Sequence, residues 1–326
     1  MKHIPDIQIK NAAPHIFRRP FLFVEPNTRL LQIATFLAIG SQIYVDGLVV
    51  MSDNDKGQRT RPIGRISSKH IISNILESNY PDCLDTKALQ IMDSTVGALE
   101  MDSTLTSALE IFDKTRFAFV PIVANRGNER SGEIDSSPMV MIAALAIRDI
   151  LPVIAKANLS IPIKKISSRL VSVDGNTSIR NALSYMIRTG IRNIGINEEM
   201  SIHDDVSGDS VGINEDGGNS KPLRIINDRK ILEFLFSHNG RESLRKTGTT
   251  GLGDISIINH LDIISIAQVK SNTTVSKAAE LLMDIRNPCL ILKNNEKEEE
   301  EHNYIVTPWD VVMKTLKSDS PPMNTN

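Results

Sequence analysis

The sequence predicts an α+β fold built from four tandem β-α-β-β-α units that pack in pairs. Three observations predict it. The first is a junction that recurs along the chain. At Tyr304–Val306 a short β-type run meets Thr307, and three residues later Asp310 opens an apolar stretch with helical spacing. Weaker copies lie at Arg65–Ile72, Leu145–Leu151 and Ile226–Leu232, so the equivalent positions are 70, 149, 230 and 310, separated by 79, 81 and 80 residues. A period that steady, in a chain without obvious low-complexity sequence, signals repeated structural units.

The second observation is an apolar quartet upstream of each junction: Leu30/Ile33/Ala34/Leu37, Leu105/Ala108/Leu109/Phe112, Ile179/Ala182/Leu183/Met186 and Val275/Ala278/Ala279/Leu282. Each follows the i, i+3, i+4, i+7 rule, which aligns four side chains on one helical stripe. The pairs in front, Asn27-Thr28, Asp102-Ser103, Asn176-Thr177 and Asn272-Thr273, suit helix N-caps, because their oxygens accept from unpaired N–H groups of the first turn. The third observation is the strand-like runs that follow, short and β-branched or aromatic: Phe117–Val123, Ile191–Ile196 and Cys289–Leu292. In the first unit the run at Ile43–Val50 is broken by Asp46-Gly47.

In order, each unit then reads as a first strand (Val171–Val173 or Ile263–Val269), the quartet helix, a second strand, a loop, and a junction strand (Pro62–Ile66, Met139–Ala146, Pro222–Ile226, Tyr304–Val306). Last comes a second helix, at His70–Leu76, Asp149–Ala157, Arg229–Phe236 and Asp310–Leu316. None of these elements buries a core alone, so pairing of units is expected. The loop before the junction strand varies most. It spans Asn125–Ser137 in the second unit, the acidic Asn197–Ser220 in the third and Glu296–Glu301 in the fourth; all three read as solvated insertions. Asp204, Asp205, Asp209, Glu215 and Asp216 lack the alternation of a calcium loop. Ser237–Gly253, with four glycines, reads as a polar insertion or linker, and 318–326 as a disordered tail.

The 326 residues are 40% hydrophobic and 23% charged with net charge −2, enough to bury a core and too balanced for a broad nucleic-acid surface. Aromatics at 4% leave few stacking platforms for single strands. Cys83 and Cys289 sit in different units, which suits a reducing cytoplasm better than a disulfide framework. The first residues lack the long apolar core of a signal peptide. Met139–Ile147 is too short to span a membrane. Seven scattered histidines make no metal-ligand spacing, and no Gly-rich phosphate loop, nucleophile elbow or paired carboxylates ask for an enzyme.

Together the Asn/Asp-Ser/Thr helix start, the apolar–apolar–Thr/Ser-x-x-Asp junction and Arg116–Pro121 resemble the cystathionine-β-synthase (CBS) domain family. The resemblance covers about residues 16–317 as four repeats, at 16–80, 86–158, 162–238 and 255–317. It implies two pseudo-twofold modules, each pairing two repeats across their strand faces and leaving two clefts. It further implies that such clefts take adenosine compounds (AMP, ADP, ATP or S-adenosylmethionine), with the junction Asp accepting from ribose hydroxyls and the junction Thr or Ser meeting phosphate.

Thr307 with Asp310 is the only complete junction. Asp149 with Arg148 keeps the acid but has Ala146 for the hydroxyl. Ser67 with His70, and Asn227 with Lys230, lack the carboxylate and read first as degenerate helix caps, although either base could meet a phosphate. Arg116, Arg192 and Arg286, each near a second strand, are further phosphate candidates, read first as surface arginines, and Trp309 reads first as a packing residue. The expectation is a non-catalytic cytoplasmic regulator that senses an adenine nucleotide, needs no cofactor or metal, forms a homo-oligomer (a dimer) and acts on an unidentified protein partner. The alternative is a docking or oligomerisation scaffold whose clefts are vestigial.

Overall fold

The computed structural model describes residues 4–39, 46–53, 59–78, 82–95, 97–125, 139–197, 224–257, 266–293 and 303–318. Apart from end residues, the three insertions, the five acids between 204 and 216, and the 318–326 tail lie outside them, as does the start of the Ile43–Val50 run.

All four quartets form the helices expected of them, at Leu30–Ile39, Leu105–Thr115, Ile179–Thr189 and Val275–Met283. All sixteen quartet side chains are buried. Burying a Leu, Ile, Phe or Met side chain stabilises by about 1.5–3 kcal/mol, so these stripes dominate the packing energy. The caps differ from expectation by one residue. Thr104, Ser178 and Thr274 have extended backbones, and their hydroxyls accept from the N–H of Ser107, Asn181 and Lys277. The residues in front close the preceding turn instead: Thr28 Oγ1 accepts from Glu25 N, and Ser103 Oγ from Glu100 N.

Each repeat carries a three-stranded sheet in which the first strand runs parallel to the second across the quartet helix, and the junction strand runs antiparallel to it. The second and junction strands are Leu48–Asp53 with Arg59–Ile66, Phe119–Asn125 with Met139–Ala146, Asn193–Asn197 with Arg224–Asn227, and Leu290–Lys293 with Tyr304–Val306. The parallel pairing needs a crossover helix, which the quartet helix supplies. In the fourth repeat Ser168–Arg169, from the start of repeat three, adds a strand beside Tyr304 and Ile305.

The four repeats close into a ring through two kinds of contact. Strand faces pair repeat one with two, through Val49, Met51, Phe117, Phe119 and Met141, and repeat three with four, through Leu170, Ile225, Cys289, Ile291 and Ile305. Helices pair the other way. Leu30–Ile39 packs on Asp228–Phe236 of repeat three, and Leu151–Lys156 packs on Val275–Met283 of repeat four, giving one core shared by repeats one and three and another shared by two and four. Ile9, Ala13 and Ile16 of the N-terminal segment enter the second of these cores.

Ser237–Gly253 is structured, which favours the insertion over the linker of the two readings it allowed. His238–Thr247 is a helix capped by Ser237, whose hydroxyl accepts from Gly240 N. Leu244 and Leu252 are buried in the core of repeats one and three. The helix left no periodic signal in the sequence because a single leucine, rather than a stripe, anchors it.

Candidate ligand-binding site

The ring surrounds a cavity of about 970 Å³. Three of the four junctions wall it: Ser67–His70, Asn227–Lys230 and Thr307–Asp310. The ends of three quartet helices, around Arg116, Arg192 and Arg286, complete the wall together with Ser168–Val171. In repeat three the chain turns into this wall through Gly190, whose φ of 72° lies in the left-handed region where a side chain is strained. Seven Lys and Arg side chains line the cavity against five carboxylates. Arg116, Arg192 and Arg286, read first as surface residues, all face it.

The fourth junction is the most complete. Asp310 is buried, and its Oδ2 accepts from the backbone N–H of Thr307 at 3.0 Å and from the Thr307 hydroxyl at 2.7 Å. Its Oδ1 accepts from Ser168 Oγ at 3.0 Å and lies 2.8 Å from Lys314 Nζ. Two of these donors are rotatable hydroxyls, and the Lys314 ammonium also holds Ile166 O and Ser168 Oγ at 2.8 Å, so it has other partners. The Asp310 carboxylate can therefore exchange donors. Trp309 on the same wall is half-buried, with the Arg116 guanidinium 6.0 Å from its ring centre.

At the first junction His70 does the structural work of the missing acid. Its Nδ1 accepts from Ser67 N–H at 3.2 Å, as the carboxylates of Asp310 and Asp149 accept from Thr307 and Ala146. Only an unprotonated Nδ1 can accept, which makes the ring neutral with its proton on Nε2. Burial lowers the His70 pKa from its ordinary value, and Lys69 and Arg65 add to that against the opposing pull of Asp93. Phe117 stacks on His70 at 5.3 Å and lies 4.1 Å from the fully buried guanidinium of Arg65. Arg65 donates to Thr95 O at 2.6 Å.

At the third junction Asn227 is a helix cap, its side chain accepting from Lys230 N, while the Lys230 ammonium pairs with Glu233 at 2.7 Å. The chemistry here is one or two residues earlier. Asp228 accepts from Arg192 Nε at 2.9 Å and from the Ser68 hydroxyl of repeat one. Arg192 and Arg229 each reach Asp46 of repeat one at 3.2 Å. Burial alone pushes the Asp228 carboxyl up, yet Arg192, Ser68 and Arg229 together outweigh it and hold the group below the ordinary carboxylate range. Sequence reasoning missed Asp46, Asp228 and Arg229 as members of this wall; the Asp46-Gly47 break in the β-run was the one trace.

The second junction is apart. Ile147 touches the cavity, but Arg148 and Asp149 do not line it. Arg148 donates to the backbone carbonyls of Leu282 and Asn287, at the end of the quartet helix of repeat four. Asp149 is held by Arg19 and His15 of the N-terminal segment. The sequence thus grouped eight candidates of which the fold brings six to one cavity: Ser67, His70, Asn227, Lys230, Thr307 and Asp310.

Burial pushes the thiols of Cys83 and Cys289 up to about 11 and about 12, so neither offers a thiolate nucleophile at neutral pH. Among the described residues no cluster of His, Cys, Asp and Glu could hold a metal ion, and no helix is long and apolar enough to cross a membrane.

No protein-family profile matches the chain, and no curated protein matches its sequence. Solved structures do match in fold. Protein MJ1225 of Methanocaldococcus jannaschii, a proposed archaeal homologue of g-AMPK, is 15% identical over 96% of this chain and 100% of its own, with a TM-score of 0.69. An uncharacterised conserved protein of Pyrococcus horikoshii is 13% identical over 91% of this chain and 96% of its own, with a TM-score of 0.49. The CBS domain pair of protein MJ0100, solved with 5′-methylthioadenosine and S-adenosyl-L-methionine, is 16% identical and covers 47% of this chain, at a TM-score of 0.34. The fold is that of tandem CBS repeats.

Proposed function

We propose that the protein is a non-catalytic sensor that binds an adenine nucleotide, or a related adenosine compound, in the central cavity. The observation that carries this reading is the convergence of three helix-opening junctions on one cavity whose lining carries more cations than carboxylates. Such a surface suits an anion on one side and a diol on the other: Lys69, Arg116, Arg169, Arg286 and the Thr307 hydroxyl would meet phosphate, and Asp310 would accept from ribose hydroxyls, a carboxylate being an acceptor matched to two O–H donors. A ligand spanning repeats one, three and four would favour one arrangement of the ring, and differential affinity between arrangements is what converts binding into a signal.

Isothermal titration with AMP, ADP, ATP and S-adenosylmethionine tests the reading. Binding by one of them at micromolar to low-millimolar concentration is expected, together with a rise in melting temperature. Absence of heat and of thermal shift with all four at millimolar ligand sinks it. One observation favours the scaffold reading instead: protein donors already occupy both oxygens of Asp310. That reading expects Asp310→Ala to change stability and nothing else.

A further inference from the structure

Asp149 is surrounded by donors from its own chain. Oδ1 accepts from Arg19 Nη1 at 2.8 Å and faces His15 Nε2 at 3.0 Å; Oδ2 accepts from Arg19 Nη2 at 2.6 Å and from Ala146 N at 2.7 Å. A carboxylate offers about four acceptor directions, and here four protein donors fill them. Only Ala146 N belongs to the junction itself. The other three donors come from a segment about 130 residues away, and a guanidinium gripping both oxygens is the strongest neutral-pH partner a carboxylate has.

The segment presents those groups from a buried anchor. Pro14–Arg18 is a short 3₁₀ turn anchored by Ala13 and Ile16, both buried in the core of repeats two and four. His15 and Arg19 themselves are about half exposed, with side-chain exposures of 48% and 45%, whereas Asp149 is at 6%. Arg19 also donates to Ala144 O at 3.3 Å, so it lies along the junction strand as well as across the acid. Just beyond it, Phe23–Val24 is the first strand of repeat one. The partner of Asp149 is thus tied on one side to the core of repeats two and four and on the other to repeat one.

We infer that residues 14–19 are an internal ligand of the second junction: Arg19 and His15 occupy Asp149 in the place of a small-molecule diol, and the cleft takes a ligand only when this strap detaches. This rests on the adenosine-ligand reading for the identity of the competitor, not for the strap itself. The strap gives the protein a site whose availability depends on the segment leading into repeat one.

Two measurements on the full chain decide it. The first is hydrogen exchange of the backbone amides of residues 15–19. Loss of a bidentate charge-assisted contact corresponds to about tenfold or more in an opening equilibrium, so Asp149→Asn is expected to speed exchange in this segment by at least that factor. Unchanged exchange overturns the inference. The second is a count of bound ADP by equilibrium dialysis in the parent, Arg19→Ala and the double variant Arg19→Ala/Asp149→Asn, with Arg19→Gln replacing Arg19→Ala if the latter folds poorly. One additional ADP per chain in Arg19→Ala, lost again in the double variant, is expected. No additional ADP, or an additional ADP that survives Asp149→Asn, overturns the inference and reduces the strap to a structural tie. The parent and the difference report separately. If the parent binds no ADP while Arg19→Ala binds one, the strap stands, and the cavity reading falls once AMP, ATP and S-adenosylmethionine fail on the parent as well; if the parent binds and Arg19→Ala binds no more, only the strap falls.

Discussion

Arg148 and Arg229 occupy the same place in two repeats, one residue before the junction position, and each crosses to the repeat packed against its own helices. Arg148 reaches repeat four and finds backbone carbonyls at the end of the quartet helix. Arg229 reaches repeat one and finds Asp46, a carboxylate whose side chain is 2% exposed, in a cluster completed by Arg192, Asp228 and Ser68. Two seams of similar geometry are thus closed by different chemistry. The seam between repeats two and four is closed by hydrogen bonds to backbone carbonyls, with Asp284 as the nearby carboxylate, and the seam between one and three by buried ions that also face the cavity. On the proposed function, the two seams would respond differently to ligand. An anion entering the cavity adds charge beside Arg192 and Arg229, whereas Arg148 lies outside the lining.

The largest effect should come from breaking the ionic seam on one side only. Removing one partner of a buried ion pair typically costs about 3–5 kcal/mol, because the survivor stays buried without compensation. Asp46→Ala is expected to cost in that range by urea unfolding. Arg148→Met removes charge-assisted bonds to carbonyls and should cost about 1.5–3 kcal/mol. In Asp46→Ala/Arg229→Met both charges are gone, and most of the loss should return. Equal losses for Asp46→Ala and Arg148→Met would erase the distinction between the seams.

A second pair of substitutions sharpens the same contrast for binding. Asp310→Asn keeps an acceptor for Thr307 N–H but removes the charge opposite a ribose diol, and a hydrogen bond to a charged group is worth about 1.5–3 kcal/mol, or roughly 10- to 100-fold in affinity for the nucleotide. Lys230→Met, across the cavity, removes an ammonium already paired with Glu233, and should change affinity less than about fivefold, since partly exposed pairs contribute about 0–1 kcal/mol. Titration calorimetry on the two variants checks this. The reverse order would place the sugar on the side of repeats one and three.

Much of this arrangement was legible in the sequence, and what was not has a physical reason. Leu30/Ile33/Ala34/Leu37 and its three counterparts announce a helix face because burial repeats with the helical period, and every one of those side chains is buried. Thr307/Asp310 was legible because the junction is local: hydroxyl, acid and the N–H they satisfy lie within four residues. The pairing of repeat one with three was not, since stripes of Leu, Ile, Ala and Val are interchangeable as packing partners. Asp46, Arg65 and Asp228 were not legible either; a charged residue reads as surface until its partner is known, and the partners lie up to 183 residues away. His15 and Arg19 carry no periodicity at all, and only the fold brings them to Asp149.

The smallest predicted effect concerns the one junction that uses a histidine in place of an acid. Folding lowers the proton affinity of His70, chiefly because the ring is buried, so as pH falls through its ordinary value of 6.5 the unfolded chain takes up a proton that the folded chain refuses. The stability that depends on neutral His70 is therefore complete above that value and is lost progressively as pH drops toward the lower folded value. An asparagine at this position can accept from Ser67 N–H through its side-chain oxygen without titrating. Urea unfolding from pH 8 to pH 5 should show the parent losing stability faster than His70→Asn, with the two curves parallel at the alkaline end. Parallel curves throughout would mean that Nδ1 of His70 is not the acceptor at the first junction, and that its likeness to Asp310 is one of position alone.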